Sequence, residues 1–184
     1  MKYKGFTLSE VLIVIAVFMI ITAAVYGAYT LSQKAYRESE ISAEITQNGR
    51  VILERITREI RQAKEIAGDF PEEGQSATTT IIFEDGHISD PYHYIHYFKT
   101  DDTIKREVIT YYFSGDPEET PVPWNAIPPL GQTLLTKNLE EARIIGEYVD
   151  NLELWGERVI NITLVLQKKD KNLNLETKIL GRNF

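Results

Sequence analysis

The feature that most constrains this chain is an uncharged stretch near its start, residues 11–31, which contains no Asp, Glu, Lys, Arg or His. An α-helix rises 1.5 Å per residue, so roughly 20 residues cross the ~30 Å hydrocarbon core of a bilayer. The stretch therefore predicts a membrane-spanning helix. Glu10 places a carboxylate at the start of the apolar run, and such a charge costs a few kcal/mol in a membrane and often marks a function.

Two ordinary explanations of the stretch fit less well. A cleaved secretory signal has an apolar run of about 7–15 residues with small residues at the cleavage site after it. Here the run is longer, and the pair Ala23-Ala24 lies inside it. An uncleaved signal anchor explains the length and the basic start, but it gives no role to Gly5 or Glu10.

The residues around the start of the run, KGFTLSEVLI at 4–13, resemble the processing site of the type IV pilin and type II secretion pseudopilin family. In that family a prepilin peptidase cuts after the glycine and methylates the new N-terminus, and a glutamate close behind serves assembly. The resemblance implies that Gly5 ends a leader, that Phe6 is the methylated mature N-terminus, and that Glu10 is the assembly carboxylate. It implies as partners the prepilin peptidase, other pilin or pseudopilin subunits, an inner-membrane assembly platform, and the lipid bilayer before assembly.

Physical chemistry gives these residues a rationale beside the resemblance. A glycine lacks a Cβ, so the chain at Gly5 can approach a peptidase closely. A filament core made of such helices would bury Glu10, and the free amine of Phe6 on an adjacent subunit would supply the opposite charge. Because losing one partner of a buried pair typically costs about 3–5 kcal/mol, Glu10 is expected to fix the register between subunits.

Composition narrows the remaining possibilities. The 184 residues suffice for one domain beyond the helix. The net charge of −7 and the lack of a basic cluster argue against nucleic acid as a partner. Lys2 and Lys4 precede the apolar run, which predicts a cytoplasmic N-terminus and an extracytoplasmic remainder. The resemblance implies that the membrane is a bacterial inner membrane. There is no cysteine, so the chain has no disulfide.

The helix is expected to continue beyond the membrane through residues 32–66, which contain no proline. Apolar residues recur there at helical spacing and predict one apolar stripe: Ile41, Ile45, Ile52, Ile56, Ile60 and Ala63. The stripe is expected to pack on the domain that follows, and a coiled coil with a partner is the alternative. Gly49 is the weak point, costing up to about 1 kcal/mol relative to alanine.

Residues 67–184 change to a β pattern and predict an extracytoplasmic domain. Strands are predicted at 78–84, 92–99, 107–113, 152–155, 159–167 and 173–180, with Asp85-Gly86 as a hairpin turn. Residues 137–148 fit either a short helix or an irregular strand. The predicted fold class is α+β, with a long N-terminal helix packed on an antiparallel β-sheet in a pilin-like arrangement. The expected layout is a leader at 1–5, an assembly helix at 6–31, its amphipathic continuation at 32–66, and the domain at 67–184.

A long connection lies among these strands, at residues 114–136, where five of the seven prolines fall. Loops of this length are often functional. Trp124 and Ile127 either pack down onto the sheet edge or contact another subunit or a cargo protein.

Two further segments refine the family resemblance. Residues 53–63 and 179–183 look like the matching segments of J-type minor pseudopilins and PilW-like minor pilins, which favours a minor subunit over a major one.

Recognisable chemistry of other kinds is absent from the sequence. His87, His93 and His96 are the only histidines, and no nucleophile–base spacing, phosphate loop or zinc motif accompanies them. We expect no catalytic residues, no metal site and no cofactor. The competing function is a membrane-anchored extracytoplasmic binding module that does not polymerise. A secreted enzyme would require cleavage near residue 30.

Overall fold

The computed structural model describes Gly5, residues 7–86 and residues 92–181. It contains a long helix, α1 (Leu8–Gln62), followed within the described residues by eight strands. They are β1 (Ile66–Ala67), β2 (Thr80–Glu84), β3 (Tyr94–Thr100), β4 (Thr103–Phe113), β5 (Leu134–Gly146), β6 (Val149–Trp155), β7 (Val159–Lys168) and β8 (Lys171–Leu180). The predicted α+β fold, a long helix packed on antiparallel sheets, is confirmed.

The chain divides into two compact units, Met1–Ala43 and Glu44–Phe184. In the first unit every described residue from 7 to 26 is exposed. In the second unit the remainder of α1 and all eight strands form one domain around a shared apolar core.

From Ile45 onward the predicted apolar stripe of α1 lies in the core of that domain, whereas Ile41 is only half-buried. Its buried positions are spaced three or four residues apart: Ile45, Gly49, Ile52, Ile56 and Ile60. Gly49, which the sequence analysis treated only as a weak point of the helix, is required by the packing of the helix on the second sheet. A Cβ there would lie 2.6 Å from Leu175 Cδ1 and 2.9 Å from Leu166 Cδ1, so the glycine lets the helix approach β7 and β8 closely.

The helix ends at Gln62, before the predicted limit at residue 66. The reason is a change of hydrogen-bond partner. The backbone N–H of Lys64 donates to the carbonyl of Glu84, and Ile66 pairs with Phe83 in the sheet. Residues 63–66 therefore belong to the connection into β1, and the boundary at 66 was wrong.

The strands form two sheets where the sequence predicted one. The first has the order β1-β2-β3-β4-β5 and the second the order β6-β7-β8, with antiparallel neighbours in both. Thr78 and Leu154 join them through two backbone hydrogen bonds of 3.0 and 2.9 Å. Side chains from both sheets and from α1 fill the same core.

The alternation predicted for β7 is confirmed, because its apolar face, Ile160, Ile162, Leu164 and Leu166, is buried. The undecided residues 137–148 lie largely in β5, which pairs irregularly with β4 through several register shifts. The hairpin predicted after β2 is confirmed, because β2 pairs antiparallel with β3, but its connection is longer than the predicted turn at Asp85-Gly86. The N–H of Asp85 donates to the His93 carbonyl and prolongs the pairing of β2 with β3, and residues 87–91, including His87, lie outside the described residues.

A polar group on α1 fixes the helix against the first sheet. Glu59 Oε2 accepts hydrogen bonds from the Tyr97 hydroxyl at 2.7 Å and from Arg106 Nε at 2.9 Å. Burial, followed by the Glu59 charge, raises the pKa of Tyr97, so its hydroxyl stays protonated and continues to donate. Glu59 and Arg106 are mostly buried. Each has a second charged neighbour, Arg55 at 3.5 Å from Glu59 and Glu140 at 3.3 Å from Arg106, so the pair belongs to a network of four charges.

Candidate functional site at the N-terminal helix

The start of α1 is fixed by a reciprocal pair of side chains, Thr7 and Glu10. The Glu10 N–H donates to Thr7 Oγ1 at 3.3 Å. In return, Glu10 Oε2 accepts from the Thr7 N–H at 2.8 Å and from the Thr7 hydroxyl at 2.9 Å. This is a capping box, in which a Thr at the N-cap and a Glu three residues later satisfy each other's backbone N–H groups.

The capping box gives Glu10 a role inside its own subunit, which the sequence analysis missed although the T-x-x-E spacing is its signal. A carboxylate in the first helical turn also interacts favourably with the positive end of the helix dipole. Both hydrogen bonds end on Oε2. Among the described residues, hydrogen-bond donors contact Oε2 and none contacts Oε1.

The surface that follows Glu10 is apolar on every side of the helix. The large apolar side chains from Leu8 to Leu31 that line it are each between 45% and 82% exposed. Within the described residues, α1 is the one helix long and apolar enough to cross a membrane. Nothing in residues 8–26 is covered by the chain itself.

The two threonine hydroxyls in this stretch do not require an outside partner. Thr22 Oγ1 donates to the Phe18 carbonyl at 2.8 Å, and Thr30 Oγ1 donates to the Gly27 carbonyl at 2.9 Å. Such bonds to the preceding turn satisfy a hydroxyl within its own helix. The two threonines are therefore compatible with hydrocarbon, where an unsatisfied polar group costs several kcal/mol.

The predicted cleavage site lies just before the cap. Gly5 is exposed, and Phe6 lies outside the described residues. Cleavage between them and methylation of Phe6 remain predictions for this chain.

Comparison with known proteins addresses this part of the chain. Residues 1–26 match the family model for the prokaryotic N-terminal methylation motif. The match supports a type IV pilin-like protein that is processed and methylated at its N-terminus. The matched residues include Gly5, Phe6, Thr7 and Glu10, and they do not include any residue of the domain. No curated protein and no solved structure matched the chain.

The second predicted site, the connection with Trp124 and Ile127, divides into two parts. Trp124 packs against a small second core on the first sheet, formed by Ala67, Tyr94 and Ile109. Its backbone N–H donates to the Tyr94 hydroxyl at 3.1 Å, and its indole Nε1 donates to Glu65 Oε1 at 2.9 Å. Ile127 is 90% exposed. The structure therefore makes Trp124 an anchor of the loop and leaves Ile127 on its surface.

Three hydrogen-bonded polar side chains on the first sheet, Thr80, His96 and Glu107, are of the residue types found in catalytic triads. His96 Nε2 lies 2.8 Å from Thr80 Oγ1, and His96 Nδ1 lies 2.7 Å from Glu107 Oε1. The Thr80 hydroxyl also lies 3.1 Å from the Tyr97 carbonyl, so its single proton serves either that carbonyl or His96 Nε2, depending on the tautomer of the imidazole. These hydrogen bonds link β2, β3 and β4. Within the described residues, no three His, Asp or Glu side chains are grouped so as to hold a metal ion.

Proposed function

We propose that this protein is a structural subunit, of the minor pilin or pseudopilin type, in a type IV pilus-like or type II secretion filament. A prepilin peptidase cuts after Gly5 and methylates Phe6. Before assembly, residues 11–31 cross the inner membrane with the N-terminus in the cytoplasm, and the domain lies outside. The subunit is then drawn from the membrane by an assembly platform. It acts as a substrate of the peptidase and as a building block rather than as an enzyme.

The observation that carries this proposal is the uncovered apolar surface of residues 8–31 with Glu10 at its head. Neighbouring helices of the same kind would cover that surface in a filament. The capping box holds the Glu10 carboxylate through Oε2, which leaves Oε1 to pair with the Phe6 amine of an adjacent subunit. A buried charge needs such a partner.

A membrane-anchored binding module that never polymerises is the alternative, and the capping box is the observation that favours it. In that protein Glu10 would serve only to start its own helix, and residues 8–31 would stay in lipid. The two functions therefore differ in whether the charge of Glu10, beyond its capping role, is needed.

The chain offers a substitution that separates the two roles. Glutamine replaces glutamate in a capping box, so Glu10→Gln keeps the cap and removes the charge, whereas Glu10→Ala removes both. Thr7→Ala, the matched control, keeps the charge and weakens the cap by about 1 kcal/mol. We expect all three variants to be cleaved and inserted in the membrane.

Assembly is then measured by shearing filaments and by cross-linking subunits in membranes. The proposal predicts that Glu10→Gln and Glu10→Ala are both absent from the sheared filaments, while Thr7→Ala is incorporated. Normal incorporation of Glu10→Gln would contradict the pairing of Glu10 with an amine. Absence of the unaltered chain from every filament would favour the anchored module.

The minor-subunit assignment rests on the resemblance of residues 53–63 and 179–183, of which 182 and 183 lie outside the described residues. Mass spectrometry of sheared filaments tests it through the ratio of this chain to the other subunits. A minor subunit is expected to be scarce relative to one abundant subunit.

A further inference from the structure

The uncharged stretch of α1 is followed directly by two basic side chains. Lys34 and Arg37 are the first charged residues after residues 11–31, and both are exposed. Within the part of the chain that the structure describes, neither side chain forms an ion pair or a hydrogen bond. Their charges are therefore available to a partner outside the chain.

The two basic residues share one side of the helix with residues of the preceding turn. Together with Tyr29, Thr30 and Gln33, Lys34 and Arg37 line a shallow groove along α1, since residues three or four apart lie on the same side of a helix. We call the part of the groove that these five residues form the basic groove. It combines two cations with a phenol hydroxyl and an amide, all of which are hydrogen-bond donors.

The position of the basic groove along the helix matches the headgroup layer of a bilayer. This layer is about 5–7.5 Å thick on each side of the hydrocarbon core. At 1.5 Å per residue, Lys34 lies about 4.5 Å and Arg37 about 9 Å beyond Leu31. Side chains lean towards the N-terminus of their helix, and the long stems of Lys and Arg let the charged ends reach the interface. Both charges therefore lie at the level of the lipid phosphates when residues 11–31 span the hydrocarbon.

Tyrosines mark the same level. Tyr26, Tyr29 and Tyr36 are 69%, 60% and 69% exposed, and all three lie within five residues of Leu31. Tyrosine is enriched where hydrocarbon meets headgroups, because its ring is apolar and its hydroxyl is polar. The tyrosines thus support the placement of this end of the apolar stretch at a bilayer interface.

The acidic residues of the segment lie farther out. Glu38, at the outer end of the same groove, and Glu40 are the next charged residues after Arg37. They lie about 10.5 Å and 13.5 Å beyond Leu31, outside the headgroup layer. The order of charges from the apolar stretch outwards is two basic residues and then two acidic residues. This order complements a layer of negative charge at the depth of the phosphates.

We propose that the basic groove binds the phosphate groups of anionic phospholipids in the leaflet next to Leu31. Lys34 supplies a compact positive charge, Arg37 a planar guanidinium that holds two phosphate oxygens, and Tyr29 a hydroxyl donor. The inference rests on the proposed function, in which residues 11–31 span a membrane before assembly. It adds the lipid class that holds the helix at a fixed depth until the subunit is drawn out.

The absence of cysteine allows one fluorophore to be placed on either side of the helix. Thr30→Cys places it in the basic groove. Ala28→Cys, the matched control, places it on nearly the opposite side, because two residues correspond to about 200° of rotation. Each labelled full-length chain is reconstituted in vesicles of phosphatidylglycerol and phosphatidylcholine, in which one lipid or the other is brominated. Bromine quenches the fluorophore at short range, so the two quenching values give the lipid preference on each side.

The proposal predicts a several-fold preference for phosphatidylglycerol at the Thr30→Cys label and a weaker one at Ala28→Cys, since each basic residue near an anionic surface contributes about fivefold. Lys34→Gln combined with Arg37→Gln should abolish the preference. Lys34→Arg combined with Arg37→Lys keeps both charges and should retain it. Sodium phosphate, compared with sodium chloride at the same ionic strength, should leave it unchanged.

Equal quenching by the two lipids at Thr30→Cys, or a preference that survives the loss of both charges, would overturn the proposal. A preference lost only in phosphate would also overturn it, because the groove would then bind free phosphate. If the vesicles retain the chain during alkaline extraction but show no lipid preference, this inference alone fails. If extraction releases the chain, residues 11–31 do not span the bilayer, and the proposed function fails as well.

Discussion

The two parts of α1 place their apolar side chains in opposite environments. In residues 44–62 the apolar residues form one stripe, and the isoleucines of that stripe are buried by the two sheets of the same chain. In residues 8–31 apolar residues occupy every side, and the chain covers none of residues 8–26. One helix thus contains a segment that is complete within its domain and a segment that needs lipid or other helices around it.

The polar groups of the two parts follow the same division. Thr22 and Thr30 bond to carbonyls of their own helix, as a segment without polar neighbours requires. Glu59 instead bonds to Tyr97 and Arg106 on the first sheet. Polar contacts therefore tie residues 44–62 to a particular neighbour, whereas Thr22 and Thr30 keep their hydrogen bonds inside the helix.

The largest effect expected from this comparison comes from truncating one isoleucine in each part. Ile56 is 1% exposed, and Ile56→Ala is expected to destabilise the domain by about 2–5 kcal/mol, because it removes buried apolar contacts and leaves a cavity. Ile13 is 64% exposed, and Ile13→Ala should leave unfolding of the domain unchanged. Denaturant unfolding of the full chain in detergent measures both. Equal losses of domain stability in Ile56→Ala and Ile13→Ala would contradict the difference between the two parts of α1.

A smaller effect is expected from adding one methyl group to each part. In Gly49→Ala the new Cβ meets Leu175 and Leu166, and overpacking of this kind costs about 1–3 kcal/mol against a gain of up to about 1 kcal/mol in helix propensity. We expect a net loss of domain stability. Gly27→Ala, the matched control, meets nothing within 4 Å. If Gly49→Ala stabilised the domain, the close approach of α1 to β7 and β8 would be contradicted.

The smallest effect concerns the alkaline stability of the domain. Burial raises the pKa of Tyr94 from 10.0 to about 12, against the opposing effect of the Trp124 N–H bond. The folded domain therefore favours the neutral phenol. This contribution is complete below about pH 10 and is lost as the pH rises towards 12.

We expect Tyr94→Phe to make stability fall less steeply above pH 10, as followed by unfolding at a series of pH values. Tyr97 shifts in the same direction, so part of the slope will remain. An unchanged slope would indicate that Tyr94 ionises freely in the folded domain. The Ile13→Ala chain should give the slope of the unaltered protein, since it changes only the other part of α1.

Local patterns predicted both parts of α1 and most of the strands. The uncharged run, the stripe from Ile45 to Ile60 and the alternation of β7 each repeat with the period of one element, so neighbouring residues suffice to predict them. The cap formed by Thr7 and Glu10 could also have been predicted, from the spacing of three residues between the threonine and the glutamate.

The remaining features depend on residues far apart in the sequence. The split into two sheets follows from which strands pair, and the role of Gly49 follows from leucines on β7 and β8. The connection between β4 and β5 has no periodic pattern, so the sequence could not show that Trp124 packs on the sheet while Ile127 is exposed. That separation follows from the side chains of Tyr94 and Glu65, which accept hydrogen bonds from Trp124.

Intact mass spectrometry of the protein purified from membranes of its own host tests the central claim most directly. The account predicts a mature chain that begins at Phe6, lacks residues 1–5 and carries one methyl group at its N-terminus. A chain that still begins at Met1 would show that residues 8–31 serve as a permanent anchor and would contradict the account.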